Sequence, residues 1–122
     1  MNDRITNRTI LAALPGWSVA VYIEGGKDGD KTYEDYLSPR PIIAWDIERE
    51  KSPIRHNVIP ITVDGNMENS ANPWAIKTPE GEYVIQGDTI VTNEADALKE
   101  LRQIDRWRKA EQAKQLQRLR GS

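Results

Sequence analysis

Trp17-Ser18-Val19-Ala20-Val21-Tyr22-Ile23 is the stretch on which the fold turns. It alternates strictly, with Trp17, Val19, Val21 and Ile23 on one side and Ser18, Ala20 and Tyr22 on the other. Period two with β-branched and aromatic residues predicts a strand. Upstream, Pro15-Gly16 closes the preceding segment. Residues 6–14 read as a short optional helix, with Thr6 as cap and Ile10, Leu11 and Leu14 on one face. Downstream, Glu24 to Pro41 is polar and turn-rich, and predicts a mobile connection.

Further strands follow. Pro41-Ile42-Ile43-Ala44-Trp45-Asp46-Ile47 predicts a second one, with Ile43, Trp45 and Ile47 inward and Asp46 facing away from the core. Across a charged connection, Glu48 to Arg55, a third lies near Asn57 to Val63. Pro60 lacks the N–H that a central strand needs, so this strand starts late or lies at an edge. Asp64-Gly65-Asn66 is a turn signal, and Met67 to Asn72 continues as loop. Trp74 to Lys77 and Glu82 to Gln86 form a hairpin around Thr78-Pro79-Glu80-Gly81, with Gly81 supplying a positive φ. Thr89-Ile90-Val91 is a short extended stretch.

The longest predicted element is a helix capped by Thr92 or Asn93, with Glu94 and Asp96 at its positive end and basic residues at its far end. No Gly or Pro interrupts 93–120. Its apolar residues recur every three positions from Leu98 to Leu119, and each such step slips a helical stripe back by about 60°. Ala97, Leu98, Leu101 and Ile104 share a face, whereas Trp107 and Ala110 lie opposite Leu98. The fold class is therefore α+β: an antiparallel, meander-like sheet of four to five strands packed by the first half of a long C-terminal helix. Residues 1–105 make one domain, and 106–122 a basic helical extension.

Composition agrees. The chain has 122 residues, 38% of them hydrophobic and 30% charged, with four Trp, four Tyr and no Phe. It is one domain's worth of sequence, too apolar for a disordered chain. Without Cys there is no disulfide, thiol catalysis or thiolate metal site. No apolar run approaches the roughly 20 residues that cross a bilayer, and a soluble, cytoplasmic protein is expected. Net charge is −2, but from Arg102 to Arg120 seven basic residues stand against two acidic ones. That segment carries +5 and the rest −7.

Catalytic and metal motifs fail on inspection. In the acidic loop from Asp28, Thr32, Tyr33 and Pro39 stand at positions 5, 6 and 12, where a calcium loop needs a ligand, a Gly and a Glu. Gly25-Gly26-Lys27 lacks the phosphate-loop frame. His56 is the single histidine, with no framing nucleophile or carboxylate motif. No enzyme, cofactor or metal is expected.

What remains is the helix. Its distal half either frays in solvent, wraps over its own domain, or meets a second surface through Trp107, Leu116 and Leu119. Arg102, Arg106, Arg108 and Lys109 surround these residues, and Tyr33 and Tyr36 mark a second candidate surface on the long connection. The favoured function is a non-enzymatic protein-binding module, meeting a protein partner or a second copy through the helix. The alternative is a nucleic-acid-associated protein in which the basic helix tracks phosphates and Trp107 stacks on a base. Pro15-Gly16-Trp17 and the run Asn72 to Tyr83 resemble uncharacterised accessory proteins of phages and prophages, over residues 10–100. That resemblance implies binding, blocking or adapting a host protein, inhibition of bacterial defence included.

Overall fold

The alternation at Trp17–Ile23 does form a strand, but both of its faces are buried. Val19 and Val21 are covered on one side, Ala20 and Tyr22 on the other. Such a strand must lie between two layers. The computed structural model describes residues 7–51, 54–85 and 89–121. In chain order the strands are β1 (Asn7–Ala12), β2 (Ser18–Ile23), β3 (Gly26–Asp28), β4 (Lys31–Tyr33), β5 (Tyr36–Pro41) and β6 (Ala44–Lys51). Then come β7 (Ile54–Thr62), β8 (Gly65–Asn66), β9 (Trp74–Lys77), β10 (Tyr83–Ile85) and β11 (Thr89–Val91), followed by α1 (Glu94–Gly121).

Two antiparallel sheets carry the fold. One has the order β11-β10-β9-β2-β5 and the other β1-β6-β7-β8, with β3 and β4 as a separate hairpin. α1 covers the first sheet: Ala97 and Leu101 pack with Ala20, Tyr22, Leu37, Ala75, Tyr83 and Ile85. On the other face, Val19 and Val21 join Ile42 and Met67, with Trp45 and Ile59 of the second sheet packed against them. Trp17 meets Trp45 edge to face, with ring centroids 5.6 Å apart. Each large apolar side chain fully buried here contributes about 1.5–3 kcal/mol. β2 thus serves two cores, which is why its alternation runs apolar on both sides.

The expected α+β class, the hairpin and the long helix are all present. Thr78 N–H donates to Glu82 O (2.8 Å) and Gly81 N–H to Thr78 O (3.0 Å), closing the hairpin turn. Gly81 takes a φ of 90°, the positive value the turn requires. Gln86, counted in the hairpin, lies outside the described residues. Asn93 caps α1: its Oδ1 accepts from Asp96 N–H (2.8 Å) and its Nδ2 donates to Asp96 Oδ2 (2.9 Å). A cap of this kind contributes about 1 kcal/mol.

Four expectations are corrected. The optional N-terminal helix is absent: residues 7–12 are β1, paired from Asn7↔Arg49 to Ala12↔Ala44, and Thr6 lies outside the described residues. The long polar connection contains a hairpin and a full strand, β5, paired from Ser18↔Pro41 to Ile23↔Tyr36. The charged stretch Glu48 to Arg55 does not interrupt pairing, for β6 and β7 continue to Lys51↔Ile54. The predicted strand from Pro41 to Ile47 is split: β5 ends at Pro41, residues 42–43 cross between the sheets, and β6 begins at Ala44. Ile42 N–H donates to Trp17 O in the first sheet, and Ile43 N–H to Ile61 O in the second.

Asp46 departs furthest from expectation. It is 0% exposed and accepts a 2.8 Å hydrogen bond from Asn66 Nδ2. The β8 turn folds back over this face of β6, and an amide donor meets the carboxylate there, as a buried charge requires. Pro60 sits within β7 opposite Trp45. Since Ile61 offers its carbonyl to Ile43, the Pro60 nitrogen faces the opposite side of β7, where the ladder to β8 ends at Ile61. The missing N–H therefore costs the sheet no hydrogen bond.

Candidate functional site

Three chain segments distant in sequence meet beside α1. Tyr22 points to the helix side of β2, Asp35 lies in the short link between β4 and β5, and Arg102 stands one residue beyond the buried Leu101. The Tyr22 hydroxyl donates to Asp35 Oδ2 (2.8 Å). Arg102 grips the same carboxylate with both arms, Nε to Oδ2 (2.5 Å) and Nη2 to Oδ1 (2.7 Å). Two turns along, Lys109 pairs with Glu24, and with Asp105 at 3.0 Å. With Gly25 and Arg106 these groups line a cleft of about 360 Å³.

Backbone packing sets up this geometry. A Cβ at Gly25 would lie 2.2 Å from Tyr33 O and 2.7 Å from Asp35 N. Only glycine lets the end of β4 pass this close and turn Asp35 toward the helix. The electrostatics follow. Hydrogen bonding from Arg102, the largest effect, brings the Asp35 carboxyl down to about 2 against the opposing pull of burial. Burial, followed by the bond to Asp35, pushes the Tyr22 phenol up. Lys109 is raised by its bonds to Glu24 and Asp105. A carboxylate held ionised and accepting three hydrogen bonds is a weak base, and a phenol pushed upward keeps its proton. This chemistry suits anchoring of α1 better than proton transfer.

A pH effect follows from Asp35. Its folded value lies below the roughly 3.9 of an unfolded aspartate, so its contribution to stability is complete above that value and lost as pH falls toward 2. Urea unfolding followed between pH 6 and pH 2 should show this loss. Asp35→Asn should be less stable than the parent at pH 6 and converge on it near pH 2.

The structure divides the residues singled out in the sequence. Arg102 and Lys109 go into the cleft. Trp107 lies five residues beyond Arg102, about 140° away around the helix, where it borders a shallow pocket of about 360 Å³ with Glu100, Gln103, Ile104 and Arg108. Arg108 also reaches a smaller gap beside Pro73 and Trp74. Arg106 is exposed. Trp107, Leu116 and Leu119 are 66%, 54% and 75% exposed. Leu116 and Leu119 stand eighteen residues, five whole turns, beyond Leu98 and Leu101, so they regain the direction of the docked stripe. Tyr33 and Tyr36 are exposed. His56 falls in β7 opposite Arg49.

Tyr22, Glu24, Gly25, Asp35 and Asp105 were missed as a group. Asp35 and Arg102 are 67 positions apart, and no local pattern announces such a pair. Among the described residues, no cluster of three or more His, Cys, Asp or Glu side chains is placed to hold a metal ion. No helix among them is long and apolar enough to cross a membrane. Comparison with protein-family models, curated proteins and solved structures found no match.

Proposed function

We propose that the chain is a non-enzymatic protein-binding module that engages its partner through the outer half of α1. One observation carries this reading. Beyond Lys109, whose bond to Glu24 ties the helix to the body of the domain, α1 runs twelve further residues to Gly121, or about 18 Å. That projecting length and the turn before it present Trp107, Leu116 and Leu119 among Arg106, Arg108, Lys114, Arg118 and Arg120. Tryptophan and arginine on a rigid helix are the residue types that dominate binding energy at protein interfaces. The proposal takes the chain to act in the cytoplasm. Following the resemblance to phage and prophage accessory proteins, it takes the partner to be a host protein that is blocked or adapted.

The experiment is affinity capture from a bacterial lysate, with and without nuclease. The baits are the full chain, the chain ended at Ala110, and Trp107→Ala. A partner retained after nuclease should be lost on truncation. Trp107→Ala should weaken the purified pair by about 2 kcal/mol, roughly thirtyfold, without changing the thermal midpoint. A partner held equally by all three baits would overturn the proposal.

The +5 charge of the segment favours nucleic acid as a second reading. It predicts capture that nuclease abolishes and an affinity falling steeply with salt, by close to one logarithmic slope unit per phosphate contact. A Trp/Leu contact should persist in high salt.

A further inference from the structure

Independently of α1, the edges of the two sheets are not treated alike. An edge strand exposes unpaired N–H and C=O groups that recruit another strand unless it is short, proline-bearing or charged. β8 has two residues and β11 three; β8 pairs with only Ile61 and Thr62, and beyond it the outer side of β7 carries Pro60. β5 is six residues long, but its outer side is blocked. Tyr22 N–H donates to Pro73 O, so by alternation Val19, Val21 and Ile23 turn their backbone groups toward β5. Their partners are Arg40, Ser38 and Tyr36, which leaves Leu37, Pro39 and Pro41 facing outward. Two of these three positions have no N–H to offer.

β1 has no such protection. It is an edge strand of six residues, and its interior 8–12 contains no proline. Ala13 N–H donates to Ile43 O on the β6 side. The even positions 8, 10 and 12 therefore direct their N–H and C=O groups away from the sheet, and no described residue pairs with them. Ile10 and Leu11 are 57% and 49% exposed. Leu11 continues into an apolar groove of about 460 Å³ with Ala12, Leu14, Trp17, Trp45 and Val58.

We infer that β1 pairs antiparallel with β1 of a second copy, about a two-fold axis through Ile10. This register satisfies all three outward positions: Ile10 faces Ile10, and 8 faces 12 in both directions. In this register position 8, which holds the one charged residue type in β1, stands opposite position 12 and not opposite its own image. An isologous interface requires this self-complementarity. The axis stands perpendicular to the sheet, so the Leu11 face and its groove lie on the same side in both copies. In this register the exposed Ile10 side chains of the two copies meet at the axis, and the two exposed Leu11 residues stand at diagonal positions across it.

Sedimentation of the full chain from micromolar to near-millimolar concentration tests this pairing. A reversible dimer is expected. Ile10→Lys, which sets two ammonium groups opposite one another, should raise its dissociation constant about tenfold or more while leaving the far-ultraviolet spectrum and thermal midpoint unchanged. Ending the chain at Ala110 should leave the dimer intact, which separates this interface from the one proposed for α1. Register is read by cysteine in a chain that has none. Ile10→Cys brings two Cα atoms to about 5.5 Å across the axis, within reach of a disulfide. Ala12→Cys leaves them about 14 Å apart. Rapid oxidative cross-linking of the first and not the second supports the proposal. A monomer at every concentration overturns it, as does a dimer linked equally by both cysteines or one lost on truncation but indifferent to Ile10→Lys.

Discussion

Leu101→Ala should lower the unfolding free energy by about 2–5 kcal/mol and the thermal midpoint by on the order of 10 °C. Leu101 is 0% exposed and is one of two fully buried α1 residues that close the core over Ala20, Tyr22, Ala75, Tyr83 and Ile85. Truncation removes its apolar contacts and leaves a void that the sheet cannot collapse to fill, because the strands below are fixed by their ladders. Leu116→Ala is the matched control. The same substitution, about four turns further along α1 and at an exposed site, should change stability by less than about 0.5 kcal/mol. Denaturant unfolding of the two variants beside the parent checks both values. Equal costs would mean that the outer helix is docked in solution.

Gly25→Ala should be nearly as damaging, at about 3 kcal/mol or more. The added methyl would collide with three backbone atoms, Tyr33 O, Asp35 N and Glu34 C, and backbone cannot rotate aside as a side chain can. Displacing the link between β4 and β5 also carries Asp35 away from Arg102. Asp35→Asn should therefore cost less in the Gly25→Ala background than in the parent, a coupling that a double-mutant cycle reads directly. The neighbouring Gly26 has nothing within 4 Å of where a Cβ would stand, and Gly26→Ala should be close to neutral. If both glycines tolerate alanine, the close approach beside the cleft does not exist in solution.

Local signals made part of this fold legible. Alternation found β2, turn chemistry found the β9–β10 hairpin, and capping residues with a common-face stripe found α1 and its docked half. Signals that fit two answers misled. Ile10, Leu11 and Leu14 suit one helical face, but a short apolar run suits a strand equally well, and the pairing partner that decides, β6, comes more than thirty residues later. β5 was hidden by the prolines that make it a guarded edge. Asp46 looked outward because its burial depends on Asn66, 20 positions away. Arg102 and Lys109 were noticed as cations on a helix. Their carboxylate partners, Asp35 and Glu24, are 67 and 85 positions distant, so the cleft itself could not be read. Trp107 stood out because it breaks the stripe, and its exposure is the structural counterpart of that break; Leu116 and Leu119 return to the stripe's direction and are exposed all the same.

That one helix covers the first sheet also has a consequence for biogenesis. Every strand leaves the ribosome before α1 does. Until the helix is made, the apolar face formed by Ala20, Tyr22, Leu37, Ala75, Tyr83 and Ile85 has no intramolecular cover. The nascent strands can pair, but the surface they create faces water, or the holding chaperones that recognise such surfaces. The Asp35–Arg102 clamp then acts as a latch on the finished assembly, set only when the segment from Ala97 to Arg102 has emerged and wound into helix.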